Sequence, residues 1–331
     1  MKNQPKWIWH NGQLVQWQDA TVHVMAHGLH YGSSVFEGIR SYDTDAGPAI
    51  FRLDEHLQRL FDSCKMYRII VPFSYEQVKQ ACCDVVSKNA LTGAYIRPIV
   101  FRDAESLGLC PGDDHPVSCS VMAFEWGPLH GAEVLENGCD VCISSWKRLR
   151  SSSNPVLSKA GGHYLTSQLI SLEAKNNGYD EGIAVNEAGN LTEGAGANVF
   201  VVRKGKLLTP GLGQAILEGI TRDTVLRIAN KLDLELLETE ISRESLYTAD
   251  EIFMCGTAAE IAPIRSVDRI AIANGKPGPL TRQFQSEYKN CVSGKTDYAS
   301  EWLTLVNPSL PTPTPSATDE LQLQSGEATN A

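Results

Sequence analysis

The order in which strand-like and helix-like segments follow one another most constrains the fold of this chain. A β-hairpin is predicted at the start, where Trp7-Ile8-Trp9 and Leu14-Val15 flank the turn dipeptide Asn11-Gly12. Two helical patterns follow, one capped at Asp54 and one with a capping box that begins at Ser74. Strands and helices then alternate irregularly, which favours an α+β fold over a single doubly wound sheet.

Further elements are predicted from apolar runs and helical spacing. Leu165, Leu169 and Leu172 predict a helix that ends before Gly178, and another helix is predicted from about Thr221. The remaining strands are predicted at 94–97, 119–124, 140–143, 182–185, 198–202 and 251–254.

The length of 331 residues is typical of two domains. We predict a small N-terminal domain over 1–126, an interdomain loop over 127–138 and a larger domain over 139–306. Residues 307–331 hold four prolines in a Ser/Thr-rich stretch with few large apolar side chains. That composition is typical of disorder, so a disordered tail is predicted there.

Composition and charge exclude several classes of partner. A net charge of −10 argues against nucleic acid, because an acidic chain repels phosphate backbones. The densest basic run, 147–150, is short and is predicted to be a strand end. No segment approaches the ~20 consecutive apolar residues of a membrane span, and the start of the sequence leads into no apolar stretch of signal-peptide length. We therefore expect a cytoplasmic protein without a membrane partner, whose nine cysteines are reduced and buried.

No metal site is predicted. Cys139 and Cys142 have a C-x-x-C spacing, but they lie on a predicted strand and no second pair completes a zinc site. His23, His27 and His30 lack acidic neighbours and a common ligand spacing. We interpret them as core or turn histidines.

Lys159 is the first candidate for chemistry. Its neighbours are small or apolar, and no acid beside it in the sequence pairs with it. Desolvation lowers the proton affinity of such an amine, and a neutral amine attacks aldehydes. Gly161 and Gly162 let a bulky group approach the backbone closely. The alternative interpretation is a solvated surface lysine.

Glu193 is the second candidate. A carboxylate at this position would keep a pyridine nitrogen protonated, which makes the ring an electron sink. The alternative is a solvated turn carboxylate. Gly194 and Gly196 follow, but they lack the spacing of a dinucleotide-binding fingerprint and precede a strand.

Two turns are candidates for anion binding. Gly219-Ile220-Thr221-Arg222 opens a predicted helix, whose first N–H groups and dipole attract anions. Gly256-Thr257-Ala258-Ala259-Glu260 follows a predicted strand and offers a second hydroxyl. Arg59, on the first predicted helix, would reach an anion, such as a phosphate group, bound at these turns. The alternatives are a plain capped helix and a solvated arginine.

Tyr95 and Arg97 form a candidate acid-binding pair. They are two residues apart on a predicted strand and therefore share one face. A guanidinium matches the geometry of a carboxylate, although an ordinary aromatic–arginine surface pair is the alternative. Pro98, which follows, predicts a strand edge or a bulge.

Together these segments resemble the branched-chain aminotransferase family, of the class IV, fold type IV aminotransferases. The resemblance covers about residues 7–306. It implies a two-domain α+β fold of the D-amino-acid aminotransferase type, with a small α/β domain and a larger domain with a β-barrel-like core. It rests on the motifs HYGSSVFEGIR (30–40), YIRP (95–98), SKAGGHY (158–164), EGAGANVF (193–200), GITR (219–222) and MCGTAAEI (254–261).

The resemblance implies pyridoxal 5′-phosphate as the cofactor and assigns roles to individual residues. Lys159 would form the Schiff base, Tyr164 would hydrogen-bond the cofactor phenolate, and Glu193 would pair with the pyridine nitrogen. The residues implied at the phosphate are Arg59, Ile220, Thr221 and Thr257. Those implied around the substrate are Tyr31, Phe36, Tyr95, Arg97, Leu109, Trp126, Thr257 and Ala258.

The implied reaction moves an amino group between leucine, isoleucine or valine and 2-oxoglutarate. It would be a ping-pong reaction in which Lys159 also carries the proton. Phe36 and Trp126 would form an apolar wall, and Arg97 with Tyr31 would contact an acidic side chain. A homodimer is implied, or a hexamer built of dimers, with a loop near 107–109 reaching into the partner's site.

Three alternatives remain open from the sequence. A relative of the same fold would be a D-amino-acid or (R)-amine transaminase or an aminodeoxychorismate lyase. The other two are a cofactor-binding protein without turnover and a structural protein without a ligand.

The chain also departs from the family pattern. Glu218 stands where proline is usual, and its carboxylate would weaken phosphate binding unless the side chain points away. Ala197 stands where glutamate is common, which removes a second acid near Glu193. The proline-rich tail has no counterpart in the family.

Overall fold

The structure, a computed structural model, describes residues 4–127, 129 and 131–306. Eight strands of this described part form a first sheet in the order β17-β5-β4-β6-β7-β1-β2, with β3 paired to β6. They are β1 (Trp7–His10), β2 (Gln13–Gln16), β3 (Ser34–Phe36), β4 (Ile39–Thr44), β5 (Gly47–Phe51), β6 (Ala94–Arg102), β7 (Val117–Phe124) and β17 (Leu303–Leu305). The predicted hairpin is confirmed, since Trp9 pairs with Leu14 across its turn.

A second sheet contains the other nine strands described. Its order is β10-β9-β8-β15-β14-β11-β12-β13, with β16 paired to β15. The strands are β8 (Cys139–Ile143), β9 (Glu181–Val185), β10 (Leu191–Gly194), β11 (Asn198–Arg203), β12 (Lys206–Thr209), β13 (Leu236–Glu238), β14 (Glu251–Gly256), β15 (Glu260–Val267) and β16 (Ile270–Ala271).

Helices pack on both sheets. Those of the described part are α1 (His27–Tyr31), α2 (Leu53–Met66), α3 (Tyr75–Lys88), α4 (Gly131–Asn137), α5 (Tyr164–Asn176), α6 (Ile220–Lys231), α7 (Arg243–Leu246), α8 (Pro279–Val292) and α9 (Ala299–Trp302). Leu57 and Leu60 of α2 and Val78 of α3 join the core of the first sheet. Val225 of α6 and Phe284 of α8 cover one face of the second sheet. The predicted α+β class, with two sheet-based units, is thereby confirmed.

The starts of α2 and α3 differ in how well the sequence predicts them. Ser74 caps α3 through a complete capping box, as predicted. The prediction that Asp54 caps α2 is wrong, because the helix already begins at Leu53. Arg52 is the residue before it, in a left-handed conformation with φ 53°. Asp54 lies in the first turn and accepts a hydrogen bond from Lys79 Nζ at 2.6 Å instead.

Pro98 lies inside β6, where the neighbouring strand changes. β4 pairs with β6 as far as Ile96, and β3 takes over from Ile99. Between the two pairings the Glu37 N–H donates to the Pro98 carbonyl at 2.9 Å. Because proline has no N–H to offer, it fits at this interruption. The predicted strand edge or bulge is wrong, because β6 lies inside the sheet and pairs with β7 in an unbroken register through Pro98.

Two structural details differ from the predicted division into domains. The segment 127–138, predicted as a loop, contains the helix α4. The strand β17, inside the range predicted for the larger domain, pairs with β5 of the first sheet. The division itself stays a prediction. The predicted disordered tail lies outside the described residues.

The described part of the chain holds no helix long and apolar enough to cross a membrane. All nine cysteines are free thiols, and eight of them are buried. The prediction of reduced, buried cysteines therefore holds for all but Cys110, which is exposed.

Candidate active site

A cavity of about 240 Å³ lies where the two sheets meet. Of the fourteen residues predicted for the site, twelve line this cavity. Those that the fold brings together are Phe36, Arg59, Tyr95, Arg97, Trp126, Lys159, Tyr164, Glu193, Ile220, Thr221, Thr257 and Ala258. Tyr31 and Leu109 are not among the lining residues.

Lys159 lies just before a short 3-10 turn, Gly161–His163, that leads into α5. Its Nζ donates to the Tyr164 hydroxyl at 2.6 Å and lies 5.2 Å from the centre of the Phe36 ring. Its backbone is fixed from the first sheet, because the Phe36 N–H donates to the Lys159 carbonyl at 3.0 Å. The amine is therefore held beside a phenol and an aromatic ring.

The Glu193 side chain enters the cavity from β10 and is 4% exposed. Its Oε1 accepts a hydrogen bond from Arg148 Nη2. Its Oε2 accepts from Asn198 Nδ2 at 3.1 Å and from the Leu217 N–H at 3.0 Å. Burial raises the pKa of Glu193 above its ordinary value, and Arg148 and the Leu217 N–H oppose that shift.

Arg148 is a site residue that the sequence analysis missed. It belongs to the basic run 147–150, which was predicted to be only a strand end. The Arg148 Nη1 also donates to Ser167 Oγ of α5 at 3.1 Å. Arg150, in contrast, is exposed and pairs with Glu187. Nothing in the run itself distinguishes the buried arginine from the exposed one.

The start of α6 forms a candidate anion site. Gly219 precedes the helix, and Thr221 in its first turn is 4% exposed. A Cβ at position 219 would lie 2.0 Å from Asn198 Oδ1, so the close approach of these two segments requires glycine. A helix of twelve residues concentrates partial positive charge at these N–H groups.

Arg59 reaches this anion site from α2. Its Nη1 donates to the Glu218 carbonyl at 2.7 Å. The Nε and Nη2 groups donate to the two carboxylate oxygens of Glu37 at 2.7 and 2.9 Å. The guanidinium is thereby fixed in one orientation by both halves of the chain.

Glu37 was also missed as a site residue, although it lies in the motif at 30–40. It is fully buried and accepts a further hydrogen bond from His56 Nδ1 at 2.7 Å. Burial by itself raises the pKa of Glu37, but Arg59 and His56 outweigh that effect and hold the pKa well below its ordinary value. Glu37 therefore faces Arg59 as a carboxylate.

The departures from the family pattern fall at the edge of the anion site. The Glu218 side chain is exposed and does not line the cavity, although its carboxylate contributes to raising the pKa of Arg59. Ala197 does line the cavity and is 8% exposed.

The opposite end of the cavity is aromatic with one cation. Arg97 Nη2 donates to the Tyr95 hydroxyl at 2.8 Å, and its guanidinium carbon lies 4.4 Å from the centre of the Phe36 ring. Trp126 packs edge-on against Tyr95, with the ring centres 4.7 Å apart. Arg97 Nε is buried and has no hydrogen-bond partner among the described residues. An apolar side chain and a carboxylate both find suitable groups here.

Tyr31 and Leu109 lie together in a separate exposed unit. The Tyr31 hydroxyl donates to the Leu107 carbonyl at 2.9 Å, and the His27 ring hydrogen-bonds the Gly108 carbonyl at 3.1 Å. Leu109 is 83% exposed. α1 thus holds the 107–109 loop, and neither Tyr31 nor Leu109 lines the cavity of its own chain.

A family model described as amino-transferase class IV matches residues 34–267, which is more than half of the chain. The chain belongs to the class IV aminotransferases. Three relatives of this class IV aminotransferase are themselves branched-chain-amino-acid aminotransferases. The Escherichia coli (strain K12) protein is 48% identical over 301 residues, which cover 91% of this chain and 97% of that protein. A crystal structure of the Escherichia coli enzyme superposes with a TM-score of 0.90 over 92% of this chain and 100% of that one.

The other two relatives are solved structures whose names bear on the cofactor. The enzyme designated T.th., solved with pyridoxamine 5′-phosphate, is 41% identical with a TM-score of 0.89 over 92% of this chain and 99% of its own. The Thermobaculum terrenum enzyme, solved in its PLP-form, is 38% identical with a TM-score of 0.84 and the same coverage. The predicted family and its pyridoxal-phosphate cofactor are therefore confirmed for this class IV aminotransferase.

Proposed function

We propose that this class IV aminotransferase transfers the amino group between leucine, isoleucine or valine and 2-oxoglutarate, with Lys159 holding the cofactor. The observation that carries the proposal is the meeting of three groups in one cavity. These are the Lys159 amine, the Glu193 carboxylate and the anion site formed by Arg59 and the start of α6.

The residues present fit pyridoxal 5′-phosphate by their chemistry. Lys159 offers an amine for the aldehyde, and Tyr164 offers a phenol beside it. Glu193 has an acceptor position for a protonated ring nitrogen. The phosphate would be held by Arg59, Ile220, Thr221 and Thr257, which combine a guanidinium, two hydroxyls and helix N–H groups. The bound cofactor supplies an aldehyde and a ring that accepts electrons from the bond being broken.

Lys159 then has two tasks. Its Nζ holds the cofactor until the substrate amine displaces it, and it afterwards takes the proton from the substrate Cα. The same Nζ would then deliver this proton, from the same side, to the cofactor carbon and not back to Cα, acting first as base and then as acid. Tyr164, bonded to Nζ at 2.6 Å, keeps the amine directed toward that position. Two half-reactions at one amine give ping-pong kinetics.

Substrate choice would depend on the aromatic end of the cavity. Phe36 and Trp126 supply apolar surface for a branched aliphatic side chain. Arg97, with its buried unpaired Nε, supplies positive charge for the side-chain carboxylate of glutamate. Tyr95 and the turn with Thr257 and Ala258 would take the α-carboxylate.

A homodimer is proposed for two reasons. An apolar row on α5 is exposed, and two predicted site residues, Tyr31 and Leu109, do not line the cavity of their own chain. The helix α5 exposes Leu165, Leu169 and Leu172 by 65%, 39% and 55%, respectively. None of these leucines belongs to the buried face of the helix. A second copy of this chain would cover such a surface. It would also accept Tyr31 and Leu109 into its own cavity, as the 107–109 loop prediction requires.

The test is a panel of amino donors of both hands with 2-oxoglutarate as acceptor. The proposal expects turnover of L-leucine, L-isoleucine and L-valine and none of the D-amino acids or (R)-amines. Turnover of D-donors alone would favour the related transaminases of the same fold. Arg97→Ala is expected to reduce glutamate use more than leucine use, and equal losses would refute its assigned role.

A further inference from the structure

Arg148 contacts the carboxylate that the proposed function pairs with the cofactor ring, and neither the family resemblance nor the proposed mechanism gives this arginine a role. We propose that Arg148 is a positioning residue that keeps Glu193 ionised and so keeps the shared proton on the cofactor's pyridine nitrogen. The inference rests on the proposed function, because it takes Glu193 as the partner of that nitrogen.

The hydrogen bonds of Glu193 restrict where a ring nitrogen can bind. A carboxylate offers about four acceptor positions, two on each oxygen. Oε2 already accepts from Asn198 Nδ2 and from the Leu217 N–H. Oε1 accepts only from Arg148 Nη2 among the described residues. The free position is therefore on Oε1, so a ring N–H shares that oxygen with Arg148.

The charge of Arg148 decides on which side of this contact the proton stays. A proton that moves from Glu193 to the ring nitrogen moves away from the guanidinium. The two positive charges are thereby separated further, and the resulting negative carboxylate faces a cation at hydrogen-bond distance. Both effects favour an ionised Glu193 and a protonated ring. Without the guanidinium, burial of Glu193 would favour the uncharged acid and a neutral ring.

The surroundings of Arg148 suit this task. Ser167 Oγ accepts from its Nη1 at 3.1 Å, which fixes the guanidinium from α5. The side chain of Arg148 is only 11% exposed, so solvent screens its charge weakly. Lys159 and Arg59 also act on Glu193, but with smaller effects than Arg148. Arg148 is the only cation described in an ion pair with Glu193.

The test uses full-length holoenzyme loaded with pyridoxal phosphate labelled with ¹⁵N in the ring. The variant is Arg148→Gln, which keeps a hydrogen-bond donor and removes the charge. The matched control is Arg150→Gln, since Arg150 lies two residues away and its side chain is 61% exposed. The ¹⁵N chemical shift reports whether the ring nitrogen is protonated, whatever the activity.

The expected result is a protonated ring in the wild type and in Arg150→Gln, and a shift to the neutral ring in Arg148→Gln. The kcat for leucine should fall by about tenfold for each unit by which the pKa of Glu193 then exceeds the pKa of the ring nitrogen. A protonated ring in Arg148→Gln would overturn the inference, even if that variant were less stable or less active.

A second variant covers the case in which Arg148→Gln does not fold or load cofactor. Arg148→Lys keeps a positive charge, so the ring should stay protonated in it, and a neutral ring would contradict the charge mechanism. Failure of the proposed function would look different. In that case the wild type itself would lack turnover of branched-chain donors or would carry a neutral ring nitrogen.

Discussion

Replacing Gly38 by alanine should displace the hydroxyl of Tyr95 while leaving the contacts of Lys159 and Arg59 in the same cavity in place. A Cβ at position 38 would lie 2.1 Å from Tyr95 Oη and 2.9 Å from its Cζ. The ring must therefore move by more than ~1 Å to restore ordinary contact, and overpacking of this kind costs about 1–3 kcal/mol. That movement breaks the 2.8 Å bond from Arg97 Nη2 to the hydroxyl.

The expected result for Gly38→Ala is a fall in kcat/KM for leucine of about a hundredfold, since a ~1 Å displacement of a positioning group has that order of effect. Cofactor loading, followed by absorbance, should stay at the wild-type level because the Lys159 and Arg59 contacts are unaffected. The matched control is Gly93→Ala. A Cβ there meets nothing closer than the Ser41 carbonyl at 3.9 Å, so wild-type kinetics are expected.

A double variant separates displacement of Tyr95 from a general loss of structure. Tyr95→Phe removes the hydroxyl that the new Cβ meets. Adding Gly38→Ala to Tyr95→Phe should therefore cost far less than Gly38→Ala costs alone, because the two positions are in contact. Wild-type kcat/KM in Gly38→Ala, or additive losses in the double variant, would refute the reasoning.

Three further predictions concern the Glu37 ion pair, the start of α6 and the exposed apolar row of α5. Glu37→Gln breaks a buried ion pair and should lower the free energy of unfolding in urea by about 3–5 kcal/mol, against about 0–1 kcal/mol for the exposed Glu187→Gln control. The folded-state pKa of Glu37 lies below its ordinary value of 4.5. The loss in free energy of unfolding caused by Glu37→Gln should therefore be complete above about pH 4.5 and shrink as the pH falls further. A loss that grows in acid would contradict this prediction. Gly219→Ala brings a Cβ to 2.0 Å from Asn198 Oδ1 and should raise the Kd for pyridoxal phosphate by about tenfold or more, whereas Gly213→Ala, with open space around it, should not; equal affinities would count against the close approach. Leu169→Lys places a charge in the exposed apolar row of α5 and should shift the native mass toward the monomer, and an unchanged mass would argue against α5 as the dimer face.

Local signals made part of the fold predictable from the sequence. The hairpin follows from Asn11-Gly12, and the capping box of Ser74 marks the start of α3. Such features depend on a few neighbouring residues, so the sequence contains all the information needed. The start of α2 could not be predicted from neighbouring residues, because Arg52, which precedes it, is held in its left-handed conformation by partners far along the chain. Among these are Asp223 Oδ2 at 2.6 Å and Thr224 Oγ1 at 3.1 Å.

The candidate site shows the same limit. Lys159 and Glu193 stand in motifs whose small neighbours indicate close approach by a ligand. Arg148 looks like any basic residue in the sequence, and only the fold places it against Glu193, 45 positions away. Glu37 lies in a motif, but its partners Arg59 and His56 come from a helix that begins after it. Roles that depend on tertiary contacts between charged groups cannot be read from spacing.

The spacing of Leu165, Leu169 and Leu172 illustrates a third case. The pattern correctly predicts the helix α5. The buried face of that helix, however, carries Ile170 and Ala174, and the three leucines are exposed. An apolar row indicates that a surface is covered, but the row does not tell whether its own chain or a second copy covers it.

The central claim is that the Lys159 amine is the group that binds the cofactor and moves the proton. The most direct measurement is borohydride reduction of the enzyme with pyridoxal phosphate, followed by peptide mass mapping. The account predicts a stable phosphopyridoxyl label on Lys159 that increases in proportion to the activity lost. No other lysine should show such a proportional label. A label at another residue, with activity lost in parallel, would contradict it.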